Sequence, residues 1–180
     1  MTLSRAIILS AAAAIAATAV AAVSVQAQRG DLITFPADYE KGVLYATVDS
    51  AKNKQVRRLY VNNKAALDAA KKGQPLPQGT VLTMAQYAAQ LDGDGNPVKG
   101  PDGRFINTGK IVGYTVMEKR PGWGKDVPEA IRNGDWQYQA FLADRTPNTK
   151  AKLAACFECH KPLGEKVDFV YTWEQLQKAM

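Results

Sequence analysis

At 180 residues the chain has room for one domain, or for one domain and a leader. Its 23 Lys and Arg against 17 Asp and Glu give a formal charge of +6, a balance that suits nucleic acid, an anionic surface or an acidic partner. The lysines are scattered in ones and twos, with no basic stripe interleaved with aromatics. That excludes nucleic acid as the expected partner and leaves a solvated basic surface.

Met1 to Arg5 is a short positive start, Ala6 to Val23 an uninterrupted small and apolar run, and Val25-Gln26-Ala27 a small-x-small cleavage site. Together they read as a secretory signal peptide over residues 1–27, cut near Ala27, which predicts a periplasmic protein. An uncleaved anchor is the rival, since the run approaches a spanning length; its alanine richness and the cleavage site directly after it favour removal. Beyond residue 27 no apolar run is long enough to span a bilayer. Residues 28–180 are therefore expected to form one domain, with no stable membrane insertion.

Val43 to Asp49 and Val56 to Asn62 alternate or run β-branched and aromatic, as strands do. Asn63 to Lys72 follows as a short helix, with Asn63 at its cap and Gly73 to stop it. Pro75 to Gly79 is a turn, and Thr80 to Gln90 resumes as a strand. Asp92 to Gly103 reads as a long hairpin loop. Its Asp-x-Asp-x-Asn opening fails as a calcium loop, because Pro97 stands where glycine is needed and Gly103 where the bidentate glutamate belongs. Arg104 to Lys119 is a strand region bent at Gly109 and Gly113. Arg120 to Gly134 is a loop with one helical turn at Pro128 to Arg132, and Asp135 to Ala143 alternates strongly as a strand. Thr149 to His160 reads as a helix, and Thr172 with Gln175 is a capping box opening a last helix to Met180. Strands come first and helices close the chain, so the predicted class is α+β with a mostly antiparallel sheet.

The chemistry lies in one short window. The chain has two cysteines and one histidine, and all three fall in Cys156-Phe157-Glu158-Cys159-His160. Cys-x-x-Cys-His is the pattern of c-type haem attachment. On a helical turn residues three apart share a face, so both sulfurs reach the two vinyl groups of one porphyrin edge. The adjacent His160 then serves as axial ligand to iron. The expected cofactor is one covalently held haem c with its iron. A structural disulfide would be strained at this spacing. A thioredoxin-like pair wants a strand leading into a helix with the cysteines at its N-terminus, and a structural zinc site needs four ligands and would have to borrow carboxylates.

The order of elements, the C-terminal motif and several local runs together resemble the cytochrome P-460 and cytochrome c′-β family. The runs are Tyr45-Ala46-Thr47, Val56 to Val61, Gly79 to Met84, Gly113-Tyr114, Trp136 to Phe141 and Cys156 to Lys161. The resemblance implies a homodimer of β-rich subunits, each with one haem whose iron is five-coordinate and open to small nitrogen oxides. It also aligns Arg57 with a family arginine near the haem. In P-460 cytochromes a lysine after the Gly-Thr-Val turn is cross-linked to the porphyrin. Here Met84 stands at that place, and Lys72 and Lys99 belong to other segments, so on this point the chain is closer to cytochrome c′-β.

With no second histidine, a strong sixth ligand would come from Met84, Met117, a lysine or an unusual group. On strands, Met84 shares a face with Leu82 and Gln86, and Met117 with Thr115 and Lys119. Core filling is the commoner use of methionine. Two functions follow: a haem protein binding nitric oxide or another small nitrogen oxide at an open iron, or an electron carrier with Met84 or Met117 as sixth ligand and a redox protein as partner. An oxidase, a peroxidase or a hydroxylamine-oxidising enzyme of the P-460 type is a further possibility, which Arg57 or Glu118 would serve if they face the haem.

Overall fold

The computed structural model describes residues 32–180; the predicted signal peptide, 1–27, lies outside them. Five strands form one sheet in the order β1-β2-β3-β4-β5: β1 Val43–Ser50, β2 Gln55–Val61, β3 Val81–Ala89, β4 Asn107–Lys119 and β5 Trp136–Phe141. Every neighbouring pair is antiparallel. With helices α1 Lys64–Lys71, α2 Ala154–His160 and α3 Trp173–Lys178, this is the expected α+β class. No helix among the described residues is long and apolar enough to cross a membrane.

Alternation along each strand splits the sheet into two apolar faces. One, here the helix face, buries Val61, Leu82, Met117, Trp136 and Tyr138 against Leu67 of α1, Phe157 of α2 and Leu176 of α3. The other, the N-terminal face, buries Val56, Tyr60, Ala85, Tyr87, Tyr114, Val116 and Phe141, closed over by Ile33 and Tyr39 with Phe35 beside them. The Phe35 ring meets Tyr114 and Phe141 edge-on at 4.9 and 5.2 Å, a favoured aromatic geometry.

Two irregularities shape the sheet. Pairing of β1 with β2 skips Tyr45 between Leu44 and Ala46, and this bulge turns Tyr45 into the helix-face core, where its hydroxyl meets Thr172 Oγ1 at 2.9 Å. In β4 the register shifts between Gly113 and Ile111, leaving Val112 as the extra residue. Gly113 has φ 158°, and a Cβ there would stand 3.0 Å from the Phe141 carbonyl oxygen. The expected bend at Gly113 is therefore a bulge where a side chain would crowd the neighbouring strand.

Local expectations hold unevenly. Asn63 caps α1, its side chain accepting from the Ala66 amide at 2.9 Å. The Asp92 carboxylate accepts from the Asp94 and Asn96 amides, a polar turn as read. Two readings are corrected. Thr172 makes no capping hydrogen bond to α3: its backbone, φ −97° and ψ 33°, is not the extended N-cap conformation, and its hydroxyl meets Tyr45 instead. The helix read from Thr149 begins only at Ala154. Upstream the chain is still tied to β5, with the Asn148 amide on the Ala140 carbonyl at 2.9 Å, and the Asn148 side chain holds a local turn through the Lys150 amide.

Candidate functional site

The motif helix is short and held by neighbours more than by its own propensity. Its Phe157 is 1% exposed and packs edge-on against Tyr138 of β5, ring centroids 4.8 Å apart. Asn133, fully buried in the loop before β5, donates through Nδ2 to the Phe157 carbonyl at 3.1 Å and to the Tyr138 hydroxyl at 2.9 Å. Lys161, just past the helix, donates to the Arg132 carbonyl at 2.8 Å. The Gly- and Pro-rich loop thus acts as a bracket between sheet and motif.

Both cysteines are free thiols, Cys156 half-buried and Cys159 exposed. Burial first, then the nearby Cys159, pushes the Cys156 thiol up from its ordinary value. That is the reverse of the lowered thiol a thioredoxin-like pair needs. The distinction matters because Cys156 lies in the first turn of the shortened helix, so the position expected from sequence no longer separates the two readings. No group of three or more His, Cys, Asp and Glu among the described residues could hold a metal ion, so no carboxylates gather here to complete a zinc site.

His160 packs near two aromatic rings, Tyr138 with its centroid at 4.9 Å and Tyr171 at 5.1 Å. Its Nδ1 is 2.7 Å from the Phe169 carbonyl oxygen, an acceptor only, so Nδ1 carries the proton and donates. Burial lowers the imidazole's pKa and the Phe169 bond partly opposes this; the ring is neutral at neutral pH. Nε2 is left with its lone pair, the tautomer in which histidine ligates a metal. The Tyr171 hydroxyl donates to the Cys159 carbonyl at 2.9 Å and sits 3.2 Å from its sulfur.

Tyr138 also fixes how the motif relates to the sheet. It belongs to the packed row Tyr138, Met117, Leu82, Val61 on the helix face. The next row on that face is Ala140, Thr115, Met84, Leu59, and beyond it come Gly113, Gln86 and Arg57. Apart from buried Gly113, these residues are all partly exposed, whereas the N-terminal face behind them is a closed core.

The sequence of the family described as Cytochrome P460 matches this chain over residues 36–172, a span that takes in the whole sheet and the motif. The chain belongs to the cytochrome P460 family. Membership brings with it a haem cofactor and its iron. A search of curated proteins finds no match.

The residues present fit that cofactor. Two free thiols three residues apart on one helix stand beside one imidazole whose Nε2 has no hydrogen-bond partner among the described residues. Of the other residues singled out by sequence, Arg57 and Met84 share the helix face with Tyr138. Arg57 donates from Nε to Gln55 Oε1 at 3.1 Å, and Gln55 in turn lies 3.4 Å from Gln86 Oε1. Met84 joins neither apolar cluster, whereas Met117 is a buried member of the helix-face core. Glu118 lies on the opposite face of β4 from Met117 and accepts from Arg120. Sequence reasoning missed Asn133, Tyr138, Phe169 and Tyr171, none of which belongs to a motif. Only Tyr138 left a signal, as an inward position in a strongly alternating strand.

Proposed function

We propose that this cytochrome P460 family member is an exported, periplasmic, single-haem c-type cytochrome that binds small nitrogen oxides such as nitric oxide at an open iron face. Cys156 and Cys159 would hold the haem covalently, their thiols adding across its vinyl groups as thioethers, and His160 Nε2 would ligate its iron. Bound haem would supply a redox-active iron able to take an external ligand. The observation that carries the reading is the commitment of His160 Nδ1 to the Phe169 carbonyl, which leaves the chain's single histidine one nitrogen to give. The partly exposed rows around Met84 supply the surface for the porphyrin, with Arg57 at their polar end. Met84, in place of a cross-linking lysine, supports ligand binding over hydroxylamine oxidation.

The second reading is an electron carrier with Met84 on iron and a redox protein as partner, favoured by one fact: Met84 is packed in neither core. The optical spectrum of the reduced protein, with and without nitric oxide, separates the two. The open site gives a broad high-spin spectrum that changes on adding nitric oxide. Sharp α and β bands indifferent to nitric oxide would overturn it.

A further inference from the structure

The carbonyl that orients His160 sits in an unusual stretch of backbone. Asp168 has φ 47° and ψ 36°, and Phe169 has φ 59°. These are consecutive non-glycine residues in the left-handed region that L residues avoid. Local hydrogen bonds, Asp168 N to Glu165 O at 2.9 Å and Phe169 N to Gly164 O at 3.0 Å, describe the turn. It is anchored from outside. The Asp168 carboxylate accepts from Lys119 Nζ at 2.9 Å on both oxygens, and from the Leu76 amide at 2.9 Å. Lys119 is itself fixed at the end of β4, its amide on the Thr80 carbonyl and its carbonyl under the Gly79 amide. The two side chains are 10% and 7% exposed.

Buried ion pairs seldom stabilise a fold more than apolar residues of the same volume would, and their better-attested use is to select one conformation. Here the selected conformation is the one that aims the Phe169 carbonyl at His160 Nδ1. We infer that Lys119 and Asp168 are positioning residues for His160, holding the Phe169 carbonyl where it fixes the imidazole's tautomer, orientation and donor strength. The inference rests on His160 being the iron ligand. Donation from Nδ1 makes the ring a stronger ligand, so loosening the turn weakens the iron–histidine bond and makes the haem easier to reduce.

The test uses holoprotein from a host competent for cytochrome c maturation, reading the ferrous iron–histidine stretching band by resonance Raman together with the reduction potential. D168A and the uncharged pair K119M/D168A are both expected to shift the band to lower frequency and the potential to more positive values. D168N, which keeps an acceptor for Leu76 and tolerates the left-handed region, should fall between them and the wild type. L176A, a buried change in α3, should lower Tm while leaving band and potential in place. A folded D168A or double variant with wild-type band and potential overturns the inference. If D168A does not accumulate, the double variant decides. Its failure to accumulate also counts against positioning, because no stranded charge remains to explain it. If methionine occupies the sixth position and hides the band, the potential decides. Wild-type protein without covalent haem, or with iron not bound by His160, would instead sink the functional reading.

Discussion

The same strands treat their two faces differently, and the contrast is sharpest in the rows next to Tyr138. On the N-terminal face, Tyr60, Ala85, Tyr87, Tyr114 and Phe141 are buried under Ile33, Phe35 and Tyr39. On the helix face at the same level, Leu59, Met84, Thr115 and Ala140 remain partly exposed. One side is finished by the chain's own aromatics, and the other presents a small and medium-sized surface beside the Cys-x-x-Cys-His helix. In these rows the chain covers one face with its own side chains and leaves the other partly exposed beside the motif helix.

The largest effect should come from removing the attachment chemistry. C156S/C159S is expected to abolish covalent haem on a denaturing gel while far-UV circular dichroism still reports the sheet. Loss of the sheet together with the haem would break the contrast, since the closed face should stand without it. Next, F141A on the closed face should cost about 3–5 kcal/mol in denaturant unfolding, as buried aromatic truncations do. L59A on the open face should cost ~1 kcal/mol in the apoprotein and rise to about 2–3 kcal/mol with haem in place, because the porphyrin then buries the leucine. Equal costs in apo and holo forms would place the cofactor elsewhere.

The smallest effect concerns the arm between β3 and β4. Asp49 accepts from Arg104 at 2.8 and 3.0 Å and from the Phe105 amide at 3.0 Å. Its hydrogen bonds from Arg104 chiefly hold its carboxyl below the usual carboxylate range, desolvation opposes this, and the Phe105 amide adds a smaller lowering. A depressed carboxyl contributes stability above its unfolded value near pH ~3.9, and the contribution disappears as pH falls through the lower folded value. Hydrogen exchange at the Phe105 amide should accelerate selectively in that acid window, and D49N should remove the dependence for a loss under ~1 kcal/mol. No change at Phe105 would mean the arm is held by its apolar contacts alone.

Much of this was readable from sequence because it is local. Alternation from Trp136 to Phe141, the Asn63 cap and the Cys156 to His160 spacing each express themselves within a few residues. The errors have the opposite character. Thr172 has the right spacing to Gln175, but a tyrosine 127 residues away takes its hydroxyl. The motif helix loses its first turn to a return along β5. Glu118 lies one residue from Lys119, and the period-two alternation sends them to opposite faces. The Lys119–Asp168 pair and the Asn133 bracket join segments far apart in the chain, and such pairings leave no periodic trace.

The order of the strands in space is their order in the chain, and this has a consequence for how the molecule is made. Each strand after the first pairs with the one synthesised just before it, so the sheet can grow by accretion from β1 to β5 without waiting for a strand made later. The thiols come only after Phe141, on a helix whose apolar contact, Tyr138, belongs to the last strand added. The clamp around Phe169 and the seal of α3 against α1 come later still. A chain that emerges N-terminus first can thus complete its sheet before it offers Cys156 and Cys159, and whatever is joined there meets a platform already built.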